Sequence, residues 1–136
     1  MNELRGLVVT PDGAVKEQRF PATSDHLLEA LSAVINCDNV DVVRLGPEGN
    51  SAAMYVDENG MNIDLPMVNE YATILVYGLN LRLNQFYYGT AVFLGGVDDG
   101  GDDTSLSDES VERIRDLMDR VKRGEINIDA LKRGLG

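Results

Sequence analysis

The hydrophobic pattern changes period at Pro21, and that change constrains the fold more than any other feature of the chain. Before it, residues 4–10 form an apolar, β-branched run, Pro11-Asp12-Gly13 is a turn signal, and residues 15–20 alternate polar with apolar. After it, Leu27, Leu28, Leu31, Val34 and Ile35 recur at helical spacing behind Ser24, a residue able to cap a helix. The expectation is a β-hairpin feeding a helix over residues 24–36, with Asp25, Glu29 and Ser32 on its wet side.

The same alternation of periods continues. Residues 40–45 and 52–56 read as strands around a Gly-Pro-Glu-Gly-Asn loop. Asn59-Gly60 suits a type I′ hairpin turn, with 61–63 as the returning strand of a three-strand meander. Asp64 and Pro66 mark a helix start, which predicts a second helix over 66–77 that buries Met67, Tyr71, Ile74 and Leu75 and stops at Gly78. Residues 79–85 alternate at strand period but are flanked by loop residues. Residues 86–94 are rich in aromatic and β-branched side chains, which predicts a central or near-central strand with Gly89 as a bulge or a close backbone approach. Residues 97–104 have no apolar periodicity and read as a mobile, solvated loop.

Beyond that loop, Ser107 is a helix cap followed by Asp108 and Glu109 at the positive end of the dipole, with Leu106 placed to staple onto Val111. Val111, Ile114, Leu117, Met118 and Val121 form one apolar stripe. Glu112 with Arg115, and Asp116 with Arg120, are spaced to pair on the opposite face, and Gly124 ends the helix. A short last turn follows through Leu131. The fold class is α+β: an antiparallel or mixed sheet of about five to six short strands, two helices packed on it and a C-terminal helix. One domain is expected from 136 residues, divided into a core over 1–97, an acidic loop over 98–106 and a helical segment over 107–136.

Charge narrows the functional classes. The net charge of −11 opposes a direct grip on nucleic acid or an anionic membrane. Apolar runs such as 7–9 and 91–94 are far too short to cross a bilayer, and the opening residues lack the pattern of a secretory signal. A cytoplasmic location is expected. With a single cysteine, Cys37, there is no internal disulfide, and Cys37 reads as a small core residue. His26 is the only histidine and stands at the positive end of a helix dipole, which makes it a poor general base. One Cys and one His are too few for a structural zinc site, the run from Asp98 to Asp103 fits no register of a calcium loop, and the glycines match no phosphate-binding loop. No metal and no cofactor are expected, and the chain reads as a binding protein and not an enzyme.

Residues 98–112 hold seven carboxylates and no Lys or Arg, whereas residues 113–133 carry seven of the twelve basic residues. The charge is therefore polarised at one place. Asp98, Asp99, Asp102, Asp103, Asp108, Glu109 and Glu112 are the candidate contacts for a protein partner, basic or DNA-binding, met by an acidic surface of inhibitor or DNA-mimic type. A competing reading is a small, nucleotide-like ligand held between the sheet and the second helix by Arg44, Tyr71, Arg82 and Tyr88. A structural protein and a hydrolase rank below both, and monomer and homodimer both stay open.

Three segments carry a family resemblance: Met54-Tyr55-Val56-Asp57-Glu58-Asn59-Gly60, Leu65-Pro66-Met67-Val68-Asn69-Glu70-Tyr71-Ala72-Thr73, and Tyr88-Gly89-Thr90-Ala91-Val92-Phe93-Leu94-Gly95 with the acidic turn behind it. Over about residues 5–106 the chain resembles domain of unknown function 3846, a family of small actinobacterial and phage proteins. It departs from the family pattern at Asn69-Glu70-Tyr71, where relatives often show Asn-Arg or Asn-Pro-Arg before the Ala-Thr, and in a longer stretch over 77–85. The resemblance implies a phage or mobile-element setting and carries over no catalytic residue.

Overall fold

A computed structural model describes residues 3–46, 52–58, 68–80, 87–98 and 100–126. The N-terminal hairpin forms as its pattern requires: β1 (Glu3–Val9) pairs antiparallel with β2 (Val15–Pro21), with Leu4 opposite Phe20 and Val9 opposite Val15. After it, α1 (Ser24–Ile35) runs from one edge of the sheet to the other, where β3 (Val40–Leu45) and β4 (Ala52–Asp57) form a second antiparallel pair. Then come α2 (Glu70–Asn80), β5 (Ala91–Gly95) and α3 (Asp108–Lys122). The order across the sheet is β2-β1-β5-β4-β3, and each neighbouring pair is antiparallel.

Both faces of this sheet are covered, so its central strands are apolar on both sides. On one face Val8, Phe20, Ala53, Tyr55, Val92 and Leu94 pack beneath Leu27, Leu31 and Ile35 of α1. On the other, Leu7, Met54, Val56 and Phe93 meet Leu75 and Val76 of α2 and Ile114, Leu117 and Met118 of α3. This explains why β4 and β5 read as continuous apolar runs, while the edge strands β2 and β3 keep polar positions. Leu28 departs from the expected stripe: it is 50% exposed, because the buried line of α1 is the four-residue series Leu27, Leu31, Ile35. Cys37 is half-buried against that cluster, and its burial, with Asp57 and Asp38 nearby, pushes the thiol up from its ordinary value.

The second helix differs from its expected span. Val68 forms an isolated antiparallel bridge with Tyr88, an extended arrangement that rules out a helix already running from residue 66. The cap is Asn69: its Oδ1 accepts from Ala72 N–H at 2.9 Å and its carbonyl accepts from Thr73 N–H at 3.0 Å. Gly78 is no terminator either, since α2 continues to Asn80. A β-carbon at Gly78 would lie 2.8 Å from Leu117 Cδ1, so this glycine lets α2 and α3 approach. Residues 87–90 precede β5 instead of belonging to it, and Gly89 takes φ +74 with open space around it, so backbone conformation and not crowding calls for glycine there. The expected turn at Asn59-Gly60, the strand over 61–63, Met67 and residues 81–86 lie outside the described residues.

Helix α3 begins as expected, with Ser107 Oγ accepting from Ser110 N–H at 3.1 Å and with Leu106 and Val111 buried in one cluster. Its expected surface pairs do not form. Arg120 approaches Glu125 at 4.0 Å instead of Asp116, and Arg113 donates to Gly78 O at 3.1 Å, which ties α3 to α2. No helix among the described residues is long and apolar enough to cross a membrane.

Candidate functional site

The segment after β5, expected as a mobile loop, is a tight return. Val97 bridges Asp103, Asp98 N–H donates to Asp102 O at 2.9 Å, and Gly101 N–H donates to Asp98 O at 2.9 Å. The Asp98 carboxylate closes the turn by accepting from Gly100 and Asp102 N–H at 2.9 and 3.0 Å. The chain then lies along the N-terminal half of β1: Arg5 N–H donates to Ser105 Oγ at 2.9 Å, and Leu106 N–H donates to Arg5 O at 3.0 Å. Gly95 makes that return fit, since a β-carbon there would lie 2.2 Å from Ser105 O.

The candidate carboxylates separate into two groups. Asp103 turns inward, accepting from the hydroxyl of the buried Tyr55 at 2.5 Å and lying 3.8 Å from Arg44. Burial, followed by the Asp103 contact, pushes the Tyr55 phenol well above its ordinary value. Asp108 is exposed but pairs at 2.8 Å with Arg5, whose guanidinium also donates to Leu106 O at 2.7 and 3.2 Å. These two residues fasten the return and the start of α3 to the sheet. Asp98, Asp102, Glu109 and Glu112 are exposed, and none of the four has an ion-pair partner among the described residues. Asp99 lies outside the described residues.

Asp98 and Asp102 line an open groove of about 1060 Å³ together with Glu3, Leu4, Pro21, Ala22 and the first turn of α1. Glu3 carried no signal in a linear reading; only the pairing of β1 with the 104–106 return brings it beside the acidic turn. Leu4, Pro21 and Ala22 give the groove apolar walls. His26 is on its rim, hydrogen bonded through Nδ1 to Thr23 Oγ1 at 2.8 Å. The site thus presents carboxylates around a partly apolar cleft, an arrangement suited to a side chain with an apolar stem and a cationic head. Glu109 lines a separate cavity of about 270 Å³ at the start of α3, with Ser107, Ser110 and Arg113.

The four residues considered for a small ligand are not gathered. Arg44 lies opposite Ala53 on the α1 face of the sheet, whereas Tyr71 packs on the α2 and α3 face beside Gly13. Tyr88 sits in the bridge to Val68, and Arg82 is outside the described residues. Neither of the two cavities is lined by any of them. Among the described residues no three His, Cys, Asp or Glu side chains come together as a metal-binding group.

Compared with known families, the chain matches the model of Domain of unknown function (DUF3846) over residues 4–119, from β1 to within α3. No curated protein and no solved structure matches it.

Proposed function

Since the chain belongs to the family Domain of unknown function (DUF3846), whose description names no activity, we propose that it is a non-enzymatic accessory protein of phage or mobile-element type, the setting that the resemblance implies, and, from the site, that it binds a basic protein segment. The observation that supports this reading is the groove between β1, the first turn of α1 and the acidic return, where Glu3, Asp98 and Asp102 have no cationic partner among the described residues. A Lys or Arg side chain of the partner lays its stem along Leu4, Pro21 and Ala22 and meets the carboxylates with its charge. The tight turn holds the Asp98 carboxylate and the Asp102 backbone in place before binding, which lowers the ordering cost of association. The net charge of −11 draws basic partners to the surface and repels polyanions.

The test is titration of a labelled Lys- and Arg-rich peptide at low and high salt, beside a protein carrying Asp98→Asn, Asp99→Asn and Asp102→Asn. Asp103 is left intact because its change would disturb the Tyr55 contact. Binding is expected to weaken steeply with salt and to weaken further in the Asn variant. Affinity that ignores both salt and the substitutions would sink the proposal. A nucleotide panel in a thermal-shift assay serves as the contrary arm, because a clear stabilisation by one nucleotide would favour ligand sequestration.

A further inference from the structure

The outer strand β2 is self-complementary in the register that a two-fold axis imposes. Among the described residues it pairs only with β1, and Lys16, Glu17 and Arg19 are exposed. Its outward backbone groups follow from the ladder. Thr10 N–H donates to Ala14 O at 3.0 Å, so those opposed residues are a hydrogen-bonded pair. Alternation along the ladder then turns the N–H and C=O of Lys16, Gln18 and Phe20 toward β1, and those of Val15, Glu17 and Arg19 away from it. An independent contact agrees: Arg5, opposite Arg19, spends its N–H on Ser105 Oγ and its C=O on Leu106 N–H, on the far side of β1 from β2.

Two copies of a strand pair antiparallel about a two-fold axis only when the axis passes between a residue and its own copy, so that opposed residues share a face. With the axis at Gln18, Glu17 of one copy lies opposite Arg19 of the other, and the reverse pair forms by symmetry. Glu17 and Arg19 are the residues whose backbone groups point outward, so each cross-pair also exchanges two main-chain hydrogen bonds. Among the described residues neither side chain has another partner. At the ends Val15 meets Pro21, where Pro21 C=O still accepts from the Val15 N–H, although proline has no N–H to return.

We propose that the chain forms a homodimer by antiparallel pairing of β2 with β2 of a second copy, centred on Gln18, which joins two five-stranded sheets into one of ten strands. The occupant is a second copy because the charge pattern Glu17-Gln18-Arg19 answers itself in this register. The interface meets the groove only at Pro21, and its Glu17–Arg19 pairs involve none of the groove carboxylates, so the peptide-binding proposal is tested separately from it.

Sedimentation of the full chain is expected to give twice the 14.9 kDa monomer mass. Glu17→Arg alone and Arg19→Glu alone each set like charges opposite one another twice, and each is expected to weaken self-association by about tenfold or more. Mixed in equal amounts, the two variants regain both opposite-charge pairs and are expected to form a heterodimer of wild-type affinity. Arg19→Pro, which withdraws an outward N–H and no bond to β1, is expected to be monomeric. A wild type that stays monomeric at the highest soluble concentration overturns the proposal. So does a mixture that fails to associate while both variants keep the wild-type circular dichroism spectrum, or a single variant that dimerises like the wild type.

Discussion

The hydroxyl of Tyr55, buried in the middle of β4, donates a 2.5 Å hydrogen bond to the carboxylate of Asp103, which the chain brings back from 48 residues away. This contact fixes one end of the acidic return to the sheet. Tyr55→Phe keeps the packing and loses the bond, at an expected cost of about 1–3 kcal/mol because the acceptor is charged. Chemical denaturation reads that loss, and amide exchange at residues 98–104 should accelerate more than in β1. Unchanged exchange would show that the return does not depend on this bond.

Burial of the Tyr55 hydroxyl, with the Asp103 contact behind it, predicts an alkaline limit. The Tyr55 phenol is raised above its ordinary value of 10.0, so the unfolded chain gives up this proton at lower pH than the folded one. Its contribution is fully present below pH 10 and is lost as pH rises from there toward the folded value, by up to about 1.4 kcal/mol for each pH unit. Denaturation midpoints from pH 9 upward should therefore fall more steeply for the wild type than for Tyr55→Phe. Parallel curves would exclude Tyr55 as the source.

Asn69 is fully buried and serves three segments at once. Its Nδ2 donates to Val9 O at 3.0 Å and Gly89 O at 2.8 Å, and its Oδ1 caps α2 through Ala72 N–H. Asn69→Ala is expected to cost about 2–4 kcal/mol, since the cap and the buried partners lose their bonds together. Asn69→Asp sets a carboxylate oxygen against two carbonyls. The protonated form is then the one that fits, so this variant should gain stability relative to wild type as pH falls. A constant difference between the two across acidic pH would contradict the assigned direction of these bonds.

What could be read in the linear chain was whatever local chemistry decides. The hairpin around Gly13, the α1 stripe apart from Leu28 and the Ser107 cap depend on residues within a few positions of one another, and all three appear in the structure. The start of α2 was misread because Asp64 and Pro66 supply a local signal, whereas Asn69 works through carbonyls 60 and 20 residues away. The acidic stretch was legible as a place but not as a shape. Nothing near residue 103 announces Tyr55, and nothing near residue 98 announces Glu3, since β-pairing alone assembles that rim.

Gly95 and Gly89 have different reasons to be glycine, and alanine tells them apart. At Gly95 the added carbon would lie 2.2 Å from Ser105 O and 2.5 Å from Thr104 Oγ1, so backbone must move and the Gly95 N–H to Thr104 O bond is strained. Gly95→Ala is expected to cost about 3 kcal/mol or more and to weaken protection at residues 104–106. At Gly89 nothing lies within 4 Å, so Gly89→Ala meets only the positive φ of +74, at about 1–2 kcal/mol. Thermal or denaturant unfolding should rank the first variant below the second; the reverse order would place the tight approach elsewhere.

Packing of α2 on α3 turns on Gly78 and Leu117. A β-carbon on Gly78 would lie 2.8 Å from Leu117 Cδ1 and 3.1 Å from Cδ2, both at the flexible end of a side chain that is 8% exposed. Gly78→Ala gains up to about 1 kcal/mol of helix propensity and loses a similar amount to crowding, so its net effect should be small. Gly78→Val adds bulk without that gain and is expected to cost about 1–3 kcal/mol. Leu117→Ala alone leaves a cavity, at about 2–4 kcal/mol, whereas combining it with Gly78→Val lets one change fill the space the other vacates. The double variant should therefore be more stable than the sum of the two losses predicts, by about 1 kcal/mol or more. Strict additivity would mean that the two side chains do not share this space, and that the closeness of α2 to α3 has another cause.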